Sequence, residues 1–184
     1  MSKYLAYPFL YDDAADLKCD FEIMADEISS MIGLLCSLLD DKDKNADLEL
    51  AEDLSKINEL MYHINPSLRT KAAVTQEELE WLFNKTQKLQ KAIEEGLHAC
   101  GASQTKGPRF FIPQGCTQAA LSHVIRAKCK VMVRLLSRYK QQGNQADEIL
   151  FDLINLYSGY FYSLAMWFNK THGIIEHPFI SRNY

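Results

Sequence analysis

The chain has 184 residues, of which 47% are hydrophobic and 24% charged, and a formal net charge of −4. That length supports one domain with a buried core; the acidic balance gives no support to general nucleic-acid binding, which needs a basic face. No apolar run is long and uncharged enough to cross a bilayer. The cysteines Cys19, Cys36, Cys100, Cys116 and Cys129 are scattered and odd in number, without a CxxC pair. They point to a reducing compartment, with neither a disulfide frame nor a zinc site. Met1–Asp13 has no charged head followed by a clean apolar run, so no secretory signal is expected and the setting reads as cytoplasmic.

Residues 1–18 read as an irregular arm, aromatic and acidic, with Tyr4, Tyr7, Phe9, Tyr11, Asp12 and Asp13. A first helix is predicted from about Cys19 to Leu39, because Phe21, Met24, Ile28, Met31, Ile32, Leu35 and Leu38 follow three-four spacing. The charged run Asp40–Asn45 ends it. A second helix follows from about Ala46 to Ile64 and stops at Asn65-Pro66, where proline removes a donor and restricts its neighbour. Thr75-Gln76-Glu77-Glu78 is a capping box opening a third helix that runs to about Ala99, with Gly101 as its C-terminal glycine.

A fourth helix is predicted over about Thr117–Gln141. The loop before it carries Phe110 and Phe111 ahead of Ile112-Pro113-Gln114-Gly115. Along the helix Arg126, Lys130, Arg134 and Arg138 recur every fourth residue, a slowly drifting cationic stripe. Two readings stand for it: a solvated face with snorkelling stems, or an anion site at a subunit seam, since His123 and Arg126 lie where the helix is most apolar. The fifth helix, about Gln145–Lys170, is apolar on nearly every face from Ile149 to Phe168, which suggests burial on all sides or an oligomer interface. Residues 174–184 form a tail. No strand-like alternation of useful length occurs, so the expected fold is all-α, a five-helix bundle in a single domain spanning 1–184.

The stretch Arg109–Arg138 resembles the signature of the PduO-type ATP:corrinoid adenosyltransferases, roughly F-x-x-P-x-G followed by A-L-H-x-x-R-x-x-C-R-R-A-E-R. Phe110, Pro113, Gly115, His123, Arg126, Cys129 and Arg134 fall on that pattern, Lys130 stands for its second arginine, and Val131, Met132 and Val133 replace the Arg-Ala-Glu. Asp26–Gly33 is similar to D-E-L-N-S-x-I-G. Leu153–Gly159 is similar to L-N-R-L-S-D, keeping Asn155 and Ser158 but with Leu156 and Gly159 for the arginine and aspartate. Leu164–Asn169 resembles L-A-R-Y-x-N with Met166 for the arginine.

The resemblance implies a homotrimer of five-helix bundles, with ATP and a corrinoid as small-molecule ligands and no nucleic-acid or membrane partner. The implied reaction is attack of a cob(I)alamin cobalt on the 5′ carbon of ATP, with Mg²⁺ assisting and triphosphate leaving. By the same resemblance, Arg126 and Lys130 face phosphate as the catalytic cations. Phe110 lines the lower face of the corrin, Phe111 and His123 help wall that pocket, and Asn155 contacts adenosine or ribose. Asp26 pairs with Arg126 across the subunit seam. No metal-binding protein ligand is implied: His98, His172 and His177 lack a second ligand at metal spacing and read as surface or loop residues.

One family element is missing. The T-x-x-G-D-x-G-x-T loop, whose backbone amides cradle phosphate, has no counterpart, since no glycine precedes Gly33 and no threonine precedes Thr70. The alternative expectation is therefore a trimer of the same fold that has lost ATP chemistry and binds a corrinoid, another tetrapyrrole or a protein partner.

Overall fold

The structure is a computed structural model that describes residues 8–43, 48–99 and 111–182, with backbone alone for 8 and 96–99. Among these residues the regular elements are five α-helices: α1 Leu17–Ser37, α2 Leu50–Ile64, α3 Gln76–Ala99, α4 Thr117–Gln141 and α5 Glu148–Thr171. The all-α bundle is as expected, and α4 has the predicted limits. Other ends differ for local reasons. α1 starts at Leu17, inside the expected arm, because the Asp16 side chain accepts from the Lys18 backbone N–H and caps it. It stops at Ser37, giving way to a 3₁₀ turn over Asp41–Asp43. α2 begins at Leu50 rather than Ala46, which lies outside the described residues, as do Phe110 and Gly101.

The capping box is formed. The Thr75 backbone N–H donates to Glu78 Oε2 at 2.8 Å, and the Glu78 N–H donates to Thr75 Oγ1 at 3.3 Å. At the end of α2, Pro66 does not halt the chain at once. It sits in a 3₁₀ turn, Asn65–Leu68, where its missing N–H is not needed. Asn65 Nδ2 then donates to the Glu22 carbonyl of α1 at 2.8 Å.

Arg69, just beyond that turn, holds the segment preceding α1. Its Nε donates to Glu22 at 2.6 Å, its Nη2 donates to Asp12 at 2.8 Å, and its guanidinium lies 3.7 Å from the ring centre of Phe9. Glu22 is buried, so the pairing satisfies a carboxylate that would otherwise be stranded. The N-terminal arm, where described, is thus tied to the α2–α3 corner through Phe9 and Asp12, while Leu10 and Tyr11 stay exposed.

Helix α5 is the centre of the bundle. Leu153, Ile154, Tyr157, Phe161, Leu164 and Phe168 are fully buried on it, and Tyr157 reaches α2 by donating to the Ile57 carbonyl at 3.1 Å. α4 and α3 flank it, and α1 packs on α4 and α2. The expectation that α5 is buried on every side needs one correction: Asp152 and Asn155 are exposed, and Leu156, Gly159 and Tyr162 are half-buried. These positions share one stripe at helical spacing. That stripe is the floor of the candidate site.

Candidate functional site

The site starts where the chain enters α4. Gly115 has φ +126°, a conformation that suits glycine. The turn it makes is pinned to α5 by Asn169, which is fully buried. Asn169 Oδ1 accepts from the Cys116 N–H at 3.1 Å, while Nδ2 donates to the Gln114 carbonyl at 2.9 Å and to Glu176 Oε1 at 2.8 Å. The tail crosses the same loop: the Ile112 N–H donates to the His177 carbonyl at 2.9 Å, and Phe111 pairs with Pro178 in an isolated antiparallel bridge. The loop that carries the half-buried Phe111 is therefore held between α5 and the tail. Phe110 falls outside the described residues.

One turn into the apolar part of α4, His123 is buried at 4% exposure, with both ring nitrogens unpartnered. Burial, with the nearby Arg126 charge adding to it, lowers its pKa to about 4, so the imidazole is neutral at pH 7. Its ring lies 6.2 Å from that of Tyr162 on α5. The Arg126 guanidinium sits 5.6 Å from the same Tyr162 ring, and its Nε is buried without a partner. Buried polar groups normally find a partner, so His123 and Arg126 together mark a place with unused hydrogen-bonding capacity.

The two helices run antiparallel: Cys116 meets Asn169, Arg126 meets Tyr162, and Lys140 meets Glu148. By that register Lys130, exposed and one turn beyond Arg126, comes level with the turn from Asn155 to Ser158. α3 runs parallel to α5 on the other side, with Gln90 Nε2 3.4 Å from Ser163 Oγ and the Lys170 ammonium donating to the Ala92 carbonyl. Between α3 and α5 opens a groove of about 510 Å³, lined by Leu79, Phe83, Gln87, Gln90, Asn155 and Gly159 among others. Asn155 is thus on a groove wall, and no internal hydrogen bond ties it to the helix bundle among the described residues. The predicted site residues Arg126, Lys130, His123 and Asn155 gather on one side of α5.

Asp26 lies apart from them. It is exposed on α1, and within one chain no ion pair joins it to Arg126. Its neighbour Glu27 instead pairs with Lys128 of α4 at 2.5 Å.

His172 departs from its sequence reading as a surface or loop residue. Its side chain is 13% exposed, with Nε2 3.1 Å from Asp43 Oδ1 and 4.0 Å from Asp40 Oδ1. The other oxygen of the buried Asp43 accepts from the Asp40 N–H and from Gln118 Nε2. The cluster ties the end of α5 to the α1–α2 link and to the first turn of α4. Its members lie too far apart in sequence for spacing to reveal them.

A family model described as cobalamin adenosyltransferase matches residues 18–168. No curated protein matches the chain. Among solved structures, three variants of the PduO-type ATP:corrinoid adenosyltransferase from Lactobacillus reuteri are similar. A phenylalanine-to-alanine variant complexed with cobalamin and ATP aligns with a TM-score of 0.73 at 18% identity, over 90% of this chain and 87% of that one. A phenylalanine-to-histidine variant with the same ligands gives 0.71 at 20% identity, over 91% and 85%. An arginine-to-lysine variant complexed with ATP gives 0.73 at 20% identity, over 90% and 88%. At these identities the likeness shows a shared fold.

Proposed function

The chain belongs to the cobalamin adenosyltransferase family, and from that premise we propose that it transfers the 5′-deoxyadenosyl group of ATP to a cob(I)alamin-class corrinoid and releases triphosphate. One observation carries the reading: the register of α4 on α5 brings Arg126 and Lys130 beside the stripe that holds Asn155. The corrinoid supplies the nucleophile. A cobalt–carbon bond forms to C5′, the C5′–O bond breaks, and its electron pair leaves with the triphosphate.

Arg126 and Lys130 supply fixed positive charge where the leaving triphosphate gains negative charge, with Mg²⁺ sharing that load. Lys130 acts as a point charge without the bidentate fork of an arginine. Asn155 holds the adenosine through its amide. Phe111 and the neutral His123, with Phe110 by family resemblance, wall the corrinoid pocket and keep water from it. The unpartnered nitrogens of His123 and Arg126 fit a ligand that carries polar side groups on a broad apolar ring.

The proposed assembly is a homotrimer with ATP at its seams, in which Asp26 of one copy meets Arg126 of the next. Asp26 shares an exposed α1 face with Ile23 and Leu34, at 46% and 53% exposure, and that mixture of apolar and acidic groups fits a seam against α4. The free thiols Cys19, Cys36, Cys116 and Cys129 fit a cytoplasmic setting.

A second reading rests on the arm. Residues 1–16 contain no glycine, and Phe9 and Asp12 are engaged by Arg69. A trimer that holds a corrinoid, another tetrapyrrole or a protein partner without turning over ATP fits that feature.

The test is the anaerobic absorbance spectrum of cob(II)alamin with the protein, recorded with and without ATP-Mg²⁺. An ATP-dependent shift to a base-off, four-coordinate spectrum, followed by adenosylation on reduction, is the expected result. A shift independent of ATP and without turnover supports the second reading. An unchanged spectrum in both conditions overturns the first reading and removes a corrinoid from the second.

A further inference from the structure

We propose that Asp40, Asp43 and His172 form a binding site for a divalent ion of the zinc class, apart from the ligand site above and independent of the adenosyltransferase reading. The donors come from two distant segments, the link after α1 and the residue that ends α5. Even so, one nitrogen of His172 and one oxygen from each aspartate all lie within 4.8 Å of one another. His172 Nε2 is 3.1 Å from Asp43 Oδ1 and 4.0 Å from Asp40 Oδ1. A tetrahedral zinc ion, with bonds of about 2.0–2.2 Å, sets its ligand atoms roughly 3.4 Å apart. The two separations bracket that spacing, and Asp40 is exposed enough to turn and close the wider gap.

The charge balance points to a cation. Asp43 is buried at 3% exposure, and among the described residues neither it nor Asp40 pairs with a lysine or arginine. Two carboxylates therefore face one imidazole, which can neutralise one of them when protonated and neither when it is not. Buried charges are paired or coordinate metals.

The carboxylates are also held as ligands are. Asp43 Oδ2 accepts from the Asp40 backbone N–H at 2.9 Å and from Gln118 Nε2 at 3.3 Å, and Gln118 is itself anchored on the Leu38 carbonyl. These outer hydrogen bonds fix the carboxylate with Oδ1 toward His172, as the partners of metal-binding carboxylates do. Asp40 Oδ1 is oriented by the Lys42 N–H at 2.8 Å. Two oxygens and one imidazole nitrogen suit a borderline ion such as zinc, whereas calcium takes oxygens alone and copper(I) prefers thiolates. The ion takes the lone pair of Nε2 in the neutral ring, and any proton there passes to solvent. The remaining position, on the exposed Asp40 side, takes a water. Bound in this place the ion joins the end of α5 to the α1–α2 link, three residues from the Asn169 that pins the Gly115 turn.

The experiment is calorimetric titration of the full chain with Zn²⁺ alone, without nucleotide or corrinoid, for wild type, Asp40→Asn and His172→Gln. Asp40 is exposed, so Asp40→Asn removes a ligand and leaves the core filled. Thermal unfolding of the same proteins with and without Zn²⁺ is the second measurement. The expected result is one ion per wild-type chain, with affinity lower by about 10-fold or more in each variant, at least the loss that outer partners give. Zinc raises the Tm of wild type more than that of either variant, because it binds the folded chain. Wild type that takes up no zinc overturns the proposal. Equal zinc affinity in all three proteins also overturns it, since the ion would then sit on the free thiols or elsewhere. A loss confined to one variant overturns the three-ligand site.

Discussion

A Cβ atom on Gly115 would stand 1.8 Å from Oδ1 of Asn169. The close approach is what allows Asn169 to accept from the Cys116 N–H and donate to the Gln114 carbonyl on either side of the glycine. Gly115→Ala therefore faces both a positive φ and a collision with a buried amide. The expected loss is about 3 kcal/mol of stability, within the range for backbone strain combined with broken buried hydrogen bonds. Urea unfolding of the two proteins measures it; a difference below about 1 kcal/mol would show that Asn169 moves aside freely.

In the proposed assembly, Arg126 is the residue on which the seam and the phosphate site converge. Arg126→Ala is expected to loosen the trimer and weaken ATP binding together, because removing one member of a buried pair costs about 3–5 kcal/mol. Asp26→Ala is expected to loosen the trimer alike while sparing ATP more. Sedimentation velocity across a concentration series reads the first effect. An Arg126→Ala protein that dissociates no more readily than wild type removes Arg126 from the seam.

Lys130 is exposed, so its replacement should leave stability unchanged. Lys130→Ala is expected to weaken ATP-Mg²⁺ by about 10-fold or more, as charge-assisted hydrogen bonds are worth about 1.5–3 kcal/mol. Lys130→Arg is expected to tighten it, since the planar fork matches two phosphate oxygens. Titrations at one fixed salt concentration decide the matter. Equal affinities in all three proteins place the triphosphate elsewhere.

The buried imidazole of His123 gives a pH dependence of definite sign. Its pKa is about 4 in the folded chain, below the ordinary value of 6.5, so between those values the unfolded chain binds a proton that the folded one does not. Stability from this group is fully present above about pH 6.5 and is lost as pH falls towards 4, by up to roughly 3 kcal/mol. Glu176, whose carboxyl is pushed up chiefly by burial, works in the opposite direction. The informative quantity is thus the difference between wild type and His123→Gln, measured by denaturant unfolding from pH 4.5 to 7.5. A difference that stays flat over that window would show that His123 gains its proton as readily folded as unfolded.

How much of this was legible beforehand depends on the range of the interaction. The capping box at Thr75 and the limits of α4 are set by residues a few positions apart, and periodicity exposes such signals. Family motifs pointed to Arg126, Lys130 and Asn155; the structure sets Arg126 against Tyr162 of α5 and Asn155 on the groove between α3 and α5. What periodicity could not disclose is contact across the bundle. Asn169 was marked by the Leu164–Asn169 motif but not its partner, a turn 53 residues away that its amide meets. His172 looked like a loop residue because Asp43, its partner, precedes it by 129 positions. The exposed stripe of α5 was hidden for a related reason: Leu156, Gly159 and Tyr162 are compatible with burial by composition, and only the placement of α3 and α4 leaves a gap between them.

The corner built around Arg69 bears on the order in which the chain acquires its shape. Every partner of that guanidinium, together with the Asn65 contact to Glu22 and the hydrogen bond from Ser29 to Asn58, lies before residue 70. The α1–α2 hairpin closes with its own ion pairs, and later helices add to it, Lys85 of α3 pairing with Asp53 and Lys128 of α4 with Glu27. During synthesis it is the first part able to fasten both its ends, and its contacts are local enough to form early. Helices α4 and α5 are then laid down against that hairpin, with α4 packing on α1.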